Sequence, residues 1–96
     1  MLSASFPALV RICYLRDKNL ETLPGGGENV LYRFPDGRQI SNWELIRTPE
    51  YAVFKRGFRD GFEGRAAADA GIEPQLQTEY QAGFRHGEQE RTKQQR

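Results

Sequence analysis

Apolar and polar positions divide this chain into a front half of short mixed runs and a rear half with helical period. Residues 8 to 16, Ala-Leu-Val-Arg-Ile-Cys-Tyr-Leu-Arg, carry apolar side chains at both parities and are rich in β-branched and aromatic types. That pattern predicts a strand covered on both faces, with a short helix as the alternative. Asp17-Lys18-Asn19 opens a stretch without periodicity that passes Leu20 and reaches Pro24-Gly25-Gly26-Gly27, which reads as a loop and linker. Residues 29 to 34 and 38 to 41 flank Pro35-Asp36-Gly37, and this predicts a β-hairpin, with Pro pre-set for the first turn position and Gly able to take positive φ. Ser41 or Asn42 then caps a helical turn through Trp43, Glu44, Leu45 and Ile46.

Thr48-Pro49-Glu50 supplies an N-cap, a proline at the first helical position and an early acidic residue, so a long helix starts at Pro49. At about 100° per residue, Tyr51, Phe54, Phe58 and Phe62 gather on one side, with Gly57, Gly61 and Gly64 on the adjacent stripe. Gly71 is the expected C-cap, and Pro74 restarts a second helix carrying Leu76, Tyr80, Gly83 and Gly87 in one sector. From Glu88 to Arg96 the chain is polar and is expected to fray.

The rear half contains a repeat: Phe54-x-x-Gly57-Phe58-Arg59-x-Gly61-x-x-x-Arg65 returns as Tyr80-x-x-Gly83-Phe84-Arg85-x-Gly87-x-x-x-Arg91. Glycine inside a helix costs about 1 kcal/mol relative to alanine, which is tolerable where another backbone packs against it. Two such stripes predict two helices in close contact, with Gly57, Gly61, Gly64, Gly83 and Gly87 as structural positions. The expected fold is α+β, a small N-terminal hairpin or sheet of two to three strands packed with a C-terminal two-helix antiparallel hairpin. It forms one domain over 1–96, with a strand-containing part at 1–47, the glycine-rich helices at 49–93 and a polar tail from about 89.

Charge narrows the partners. Fourteen Lys and Arg stand against thirteen Asp and Glu, and the halves are balanced as well, six against six and eight against seven. A dedicated nucleic-acid binder carries a basic excess, so weak or no binding to naked nucleic acid is expected. Arg56 with Asp60 and Arg59 with Glu63 are spaced for local neutralisation. The single cysteine, Cys13, sits in an apolar run, and His86 has no companion at ligand spacing, so neither metal nor cofactor is expected. No Lys-Ser or Lys-Thr follows the glycines at 25 to 27, and nothing in the spacing of Ser41, His86 and the carboxylates brings a catalytic set together. No signal-peptide pattern opens the chain and no apolar run is long enough to span a membrane, so the expectation is a cytoplasmic, non-enzymatic protein. Trp43 either fills the seam between strands and helices or anchors a partner, and Arg56, Arg59, Arg65 and Arg85 are the cationic candidates for partner contact.

The run from Arg56 to Arg65, Arg-Gly-Phe-x-x-Gly-x-x-Gly-Arg, then seventeen residues, then Gly83-Phe84-Arg85-x-Gly87, resembles the helical hairpin of the ribosome modulation factor family. The resemblance covers about residues 54 to 88. It implies a compact helical hairpin of the kind that, in that family, docks on the small ribosomal subunit and promotes its inactive dimerisation. Gly57, Gly61, Gly64 and Gly83 are then the implied scaffold, and Arg56 and Arg65 the implied RNA-facing residues. Three binding functions stay open on these residues: a regulator of a larger assembly such as a ribonucleoprotein, reached through protein contacts; a phage or mobile-element inhibitor of the anti-CRISPR type; and a ribosome-modulation-like binder of ribosomal RNA.

Overall fold

The computed structural model of the protein describes residues 6–25 and 29–94. The first element is a helix, α1 (Phe6–Lys18), where the sequence pattern favours a strand. Its inward positions decide the period: Val10, Cys13 and Tyr14 are buried at i, i+3 and i+4, while Ile12 is 47% exposed. Apolar residues at both parities hide that spacing in the sequence. Arg16 and Lys18 occupy the last turn, where cations suit the helix dipole. The helix closes on Asn19 at φ 58, with Leu20 N–H donating to Leu15 O and Asn19 N–H to Arg16 O, the double bond of a Schellman ending.

Part of the expected loop is also ordered. Strand β1 (Glu21–Leu23) pairs antiparallel with β2 (Leu31–Arg33), which pairs with β3 (Gln39–Ser41), giving a sheet in the order β1-β2-β3. The β2–β3 hairpin is the expected one: Gly37, at φ 96, donates its N–H to Phe34 O across Pro35-Asp36. Ser41 caps the short α2 (Asn42–Ile46) in a reciprocal capping box with Glu44. Thr48 caps α3 (Pro49–Phe62) by accepting from Tyr51 N–H, with Pro49 in the first turn as expected.

Helix α3 stops nine residues short of Gly71. Gly64 at φ 76 follows the C-cap Glu63, and its N–H and that of Arg65 donate to Gly61 O and Asp60 O. Gly64 therefore terminates the helix instead of extending the packing stripe. Helix α4 (Pro74–Gln94) begins at the expected proline and stays helical through the polar tail to Gln94. The fold is α+β, a three-stranded antiparallel sheet on the N-terminal side and a long C-terminal helix packed on α3.

Four glycines set the relation of α3 to α4. A Cβ on Gly57 would strike the carbonyl of Tyr80, and one on Gly61 the carbonyl of Phe84; in return, Gly83 faces the carbonyl of Phe54 and Gly87 that of Phe58. The contacts advance by four residues on both helices together, so α3 and α4 run in the same direction. The expected antiparallel hairpin is thus a parallel pair, and residues 63–73 carry the chain back along it. Each partner sits 26 positions from its equivalent, as in Phe54 and Tyr80 or Gly57 and Gly83, so a local two-fold relation exchanges the two repeats. Helix α1 packs on both members of the pair. The core joins Val10, Cys13 and Tyr14 with Tyr32, Leu45, Tyr51, Phe54 and Phe58, and Tyr80 is fully buried between the repeats.

Burial makes this core sensitive to base. Tyr14, Tyr51 and Tyr80 are all pushed above the ordinary phenol value of 10.0, first by loss of water, then at Tyr14 by Glu79 and Glu50 and at Tyr80 by its bond to Asp60. Below that value both states keep these protons, and the raised values have no effect on stability. Above it the unfolded chain ionises first, so stability falls as pH rises past about 10. A urea midpoint that is steady to about pH 9 and falls by about pH 11 is expected, and Tyr51→Phe should flatten that fall. An unchanged midpoint over this interval would contradict the burial.

Candidate functional site

The repeat treats its charged residues unequally. Asp60, 8% exposed, accepts from the Tyr80 hydroxyl, which also accepts from Ala68 N–H at 2.9 Å and so ties the returning segment to the helix pair. At the equivalent place His86 meets Phe54, with ring centroids 5.8 Å apart. His86 Nε2 lies 3.6 Å from Asp17 Oδ1. One side of the pair is thus closed by a buried hydrogen bond and the other by a ring contact. Both serve packing between elements.

Because Asp60 turns inward to Tyr80, it does not pair with Arg56. Glu63 pairs with Arg65 at 2.9 Å, and so it does not neutralise Arg59. The two expected pairs, Arg56–Asp60 and Arg59–Glu63, are therefore absent, and both arginines are exposed without an ion-pair partner among the described residues. Arg65 is bound locally, and Arg85, 60% exposed, lies 3.8 Å from Asp17 on the α1 side. The five candidate partner residues thus fall into separate places, and only Arg56, Arg59 and Trp43 belong to the α2–α3 side.

Trp43 does not fill a seam. Leu45 takes the inward position of α2 and is fully buried, leaving Trp43 56% exposed and Ile46, one turn on, 44% exposed. The indole is nevertheless held: its Nε1–H donates to Asn29 Oδ1 at 2.8 Å. Ile46, one turn along the same helix, lines a groove of about 510 Å³ together with Tyr51, Ala52, Lys55, Arg56 and Arg59. Apolar floor and cationic rim therefore share one surface. Ile46 escapes a reading of the sequence because a three-residue outward spacing on so short a helix carries no periodic signal, and Lys55 because on α3 it looks like any other solvated charge.

Ser41 is engaged at the α2 N-cap, accepting from Glu44 N–H and donating to Glu44 Oε1 at 3.0 Å. Among the described residues no three His, Cys, Asp or Glu side chains are grouped to hold a metal ion, and no helix is long and apolar enough to cross a membrane. Cys13 is buried, and loss of water raises its thiol pKa, which leaves it a small apolar group in the core. No family model, curated protein or solved structure matches the chain.

Proposed function

We propose that the protein is a non-enzymatic regulatory binding module that docks on a larger assembly, a ribonucleoprotein being the leading kind, through the α2–α3 face. The observation that carries this reading is Trp43: the largest apolar side chain of the protein is exposed yet fixed by a hydrogen bond, on the same short helix as exposed Ile46, which lines a groove with Lys55, Arg56 and Arg59. A pre-positioned aromatic loses little freedom on binding, and such residues dominate interface energies when a partner pocket encloses them. The cations would then read an acidic rim or a few phosphates around that pocket.

The unpaired Arg56 and Arg59 also support a second reading, direct ribosomal RNA contact of the ribosome-modulation kind, for which Arg56 is one of the two implied residues. The two readings differ in salt dependence. With Lys55, Arg56 and Arg59 as the only phosphate contacts, affinity for single-stranded RNA should fall with a log–log slope of about −2 and be weaker than micromolar at physiological salt. Fluorescence anisotropy with generic RNA and duplex DNA at two salt concentrations measures this. Submicromolar binding to naked RNA at physiological salt would overturn docking by protein contact and promote the RNA reading, with Arg56→Glu as the first variant to test.

A further inference from the structure

A second cleft, of about 420 Å³, shares no lining residue with that groove and is enclosed by α1, the β2–β3 turn, the start of α3 and Glu79 of α4. Its walls are of two kinds. Tyr14, Phe34, Pro35 and Ile40 supply an apolar surface, and Lys18, Arg38, Asp36, Glu50 and Glu79 supply charge. Both cations are already engaged, Lys18 with Glu79 Oε1 and Arg38 with Asp36 at 2.8 Å. Arg38 also lies 4.5 Å from the centre of the Phe34 ring, which holds it against the turn. Two acceptor groups are left over. Glu50 is exposed at the rim, and Glu79, whose side chain is only 9% exposed, has its Oε2 buried with no hydrogen-bond partner.

A buried carboxylate oxygen without a donor costs free energy unless a donor arrives. Three carboxylates against two cations also leave the cleft one negative charge in excess. The environment of Tyr14 agrees, since Glu79 and Glu50 both act on its hydroxyl as negative neighbours. An anion is disfavoured here, and a water-like neutral group leaves the apolar wall unused. We infer that this cleft binds a small organic monocation, an alkylammonium or alkylguanidinium, whose N–H groups donate to Glu50 and, with a turn of the Glu79 side chain toward the cleft it lines, to Glu79 Oε2, while its alkyl part lies on Tyr14, Phe34 and Ile40. The site is separate from the α2–α3 face and stands or falls independently of the docking function.

The probe is n-butylguanidinium, with n-butylurea as its uncharged counterpart, titrated into the full chain and followed by amide chemical shifts. Saturable shifts at residues 14–18, 34–40 and 76–80 with a Kd of about 1 mM or tighter are expected, and butylurea should bind at least about ten-fold more weakly. Glu79→Gln should weaken the cation about ten-fold. Because that change also disturbs Lys18, Glu50→Gln at the exposed rim is the second variant, expected to weaken binding about three-fold while lowering the melting temperature by only the few degrees that a first-turn carboxylate contributes. Absence of saturable shifts at the cleft, equal binding of butylurea, or wild-type affinity in Glu50→Gln and Glu79→Gln alike would overturn the assignment.

Discussion

Gly57→Ala and Gly61→Ala should each lower the melting temperature by about 8–16 °C, against the propensity rule that alanine in a helix is worth about 1 kcal/mol over glycine. Each added Cβ would meet the opposite backbone, Tyr80 O for Gly57 and Phe84 O for Gly61, and neither can yield as a side-chain tip does. Overpacking of that kind costs about 3 kcal/mol, which leaves a net loss of about 2 kcal/mol after the propensity gain. Gly61→Leu adds three more carbons at the same contact and should prevent the helix pair from closing. Gly71, where an added Cβ would have nothing within 4 Å, is the control, and its alanine variant should stay within about 0.5 kcal/mol of the parent. A rise in melting temperature for Gly57→Ala or Gly61→Ala would mean that the helices do not meet at these residues.

The close approach is legible because glycine at i and i+4 in two copies has few other uses in a soluble helix. The caps at Ser41 and Thr48, the Pro35-Asp36-Gly37 turn and the restart at Pro74 are legible for a similar reason, since each depends on local backbone chemistry. What depends on distant packing is not. The identity of α1 turns on which of its apolar residues face inward, and in the sequence Ile12 facing out looks no different from Val10 facing in. The direction of α4 relative to α3 turns on residues 63–73, whose length allows the chain either to turn back directly or to return along the pair. Gly64, with positive φ, ends α3 before Gly71 can, although both are glycines after a helical run.

At the candidate site the arginines are legible as candidates, but their local partners are not. Helical spacing matches Arg56 to Asp60, yet the buried Tyr80 hydroxyl competes for that carboxylate and takes it. Glu79 resembles the solvated charges around it in the sequence and lies instead between α4 and the Lys18 end of α1. In the same way Trp43 has the size of a core residue, whereas Leu45 occupies the only inward place on a helix this short.

Trp43→Ala should cost partner affinity far more than stability. The residue is more than half exposed, so truncation removes little packing and should change the folding free energy by about 0.5 kcal/mol or less. If a partner pocket encloses the indole, the same truncation costs at least about 2 kcal/mol of binding, equivalent to about 30-fold in Kd. Gln89, exposed on α4, is a suitable control because its side chain lies outside the α2–α3 groove.

The most direct test is therefore to capture partners from native host extract on the intact protein, identify both proteins and RNA, and titrate the captured assembly with three chains: wild type, Trp43→Ala and Gln89→Ala. Docking through the α2–α3 face predicts about 30-fold weaker binding for Trp43→Ala and wild-type affinity for Gln89→Ala, with all three chains melting together. Wild-type affinity in Trp43→Ala would contradict it.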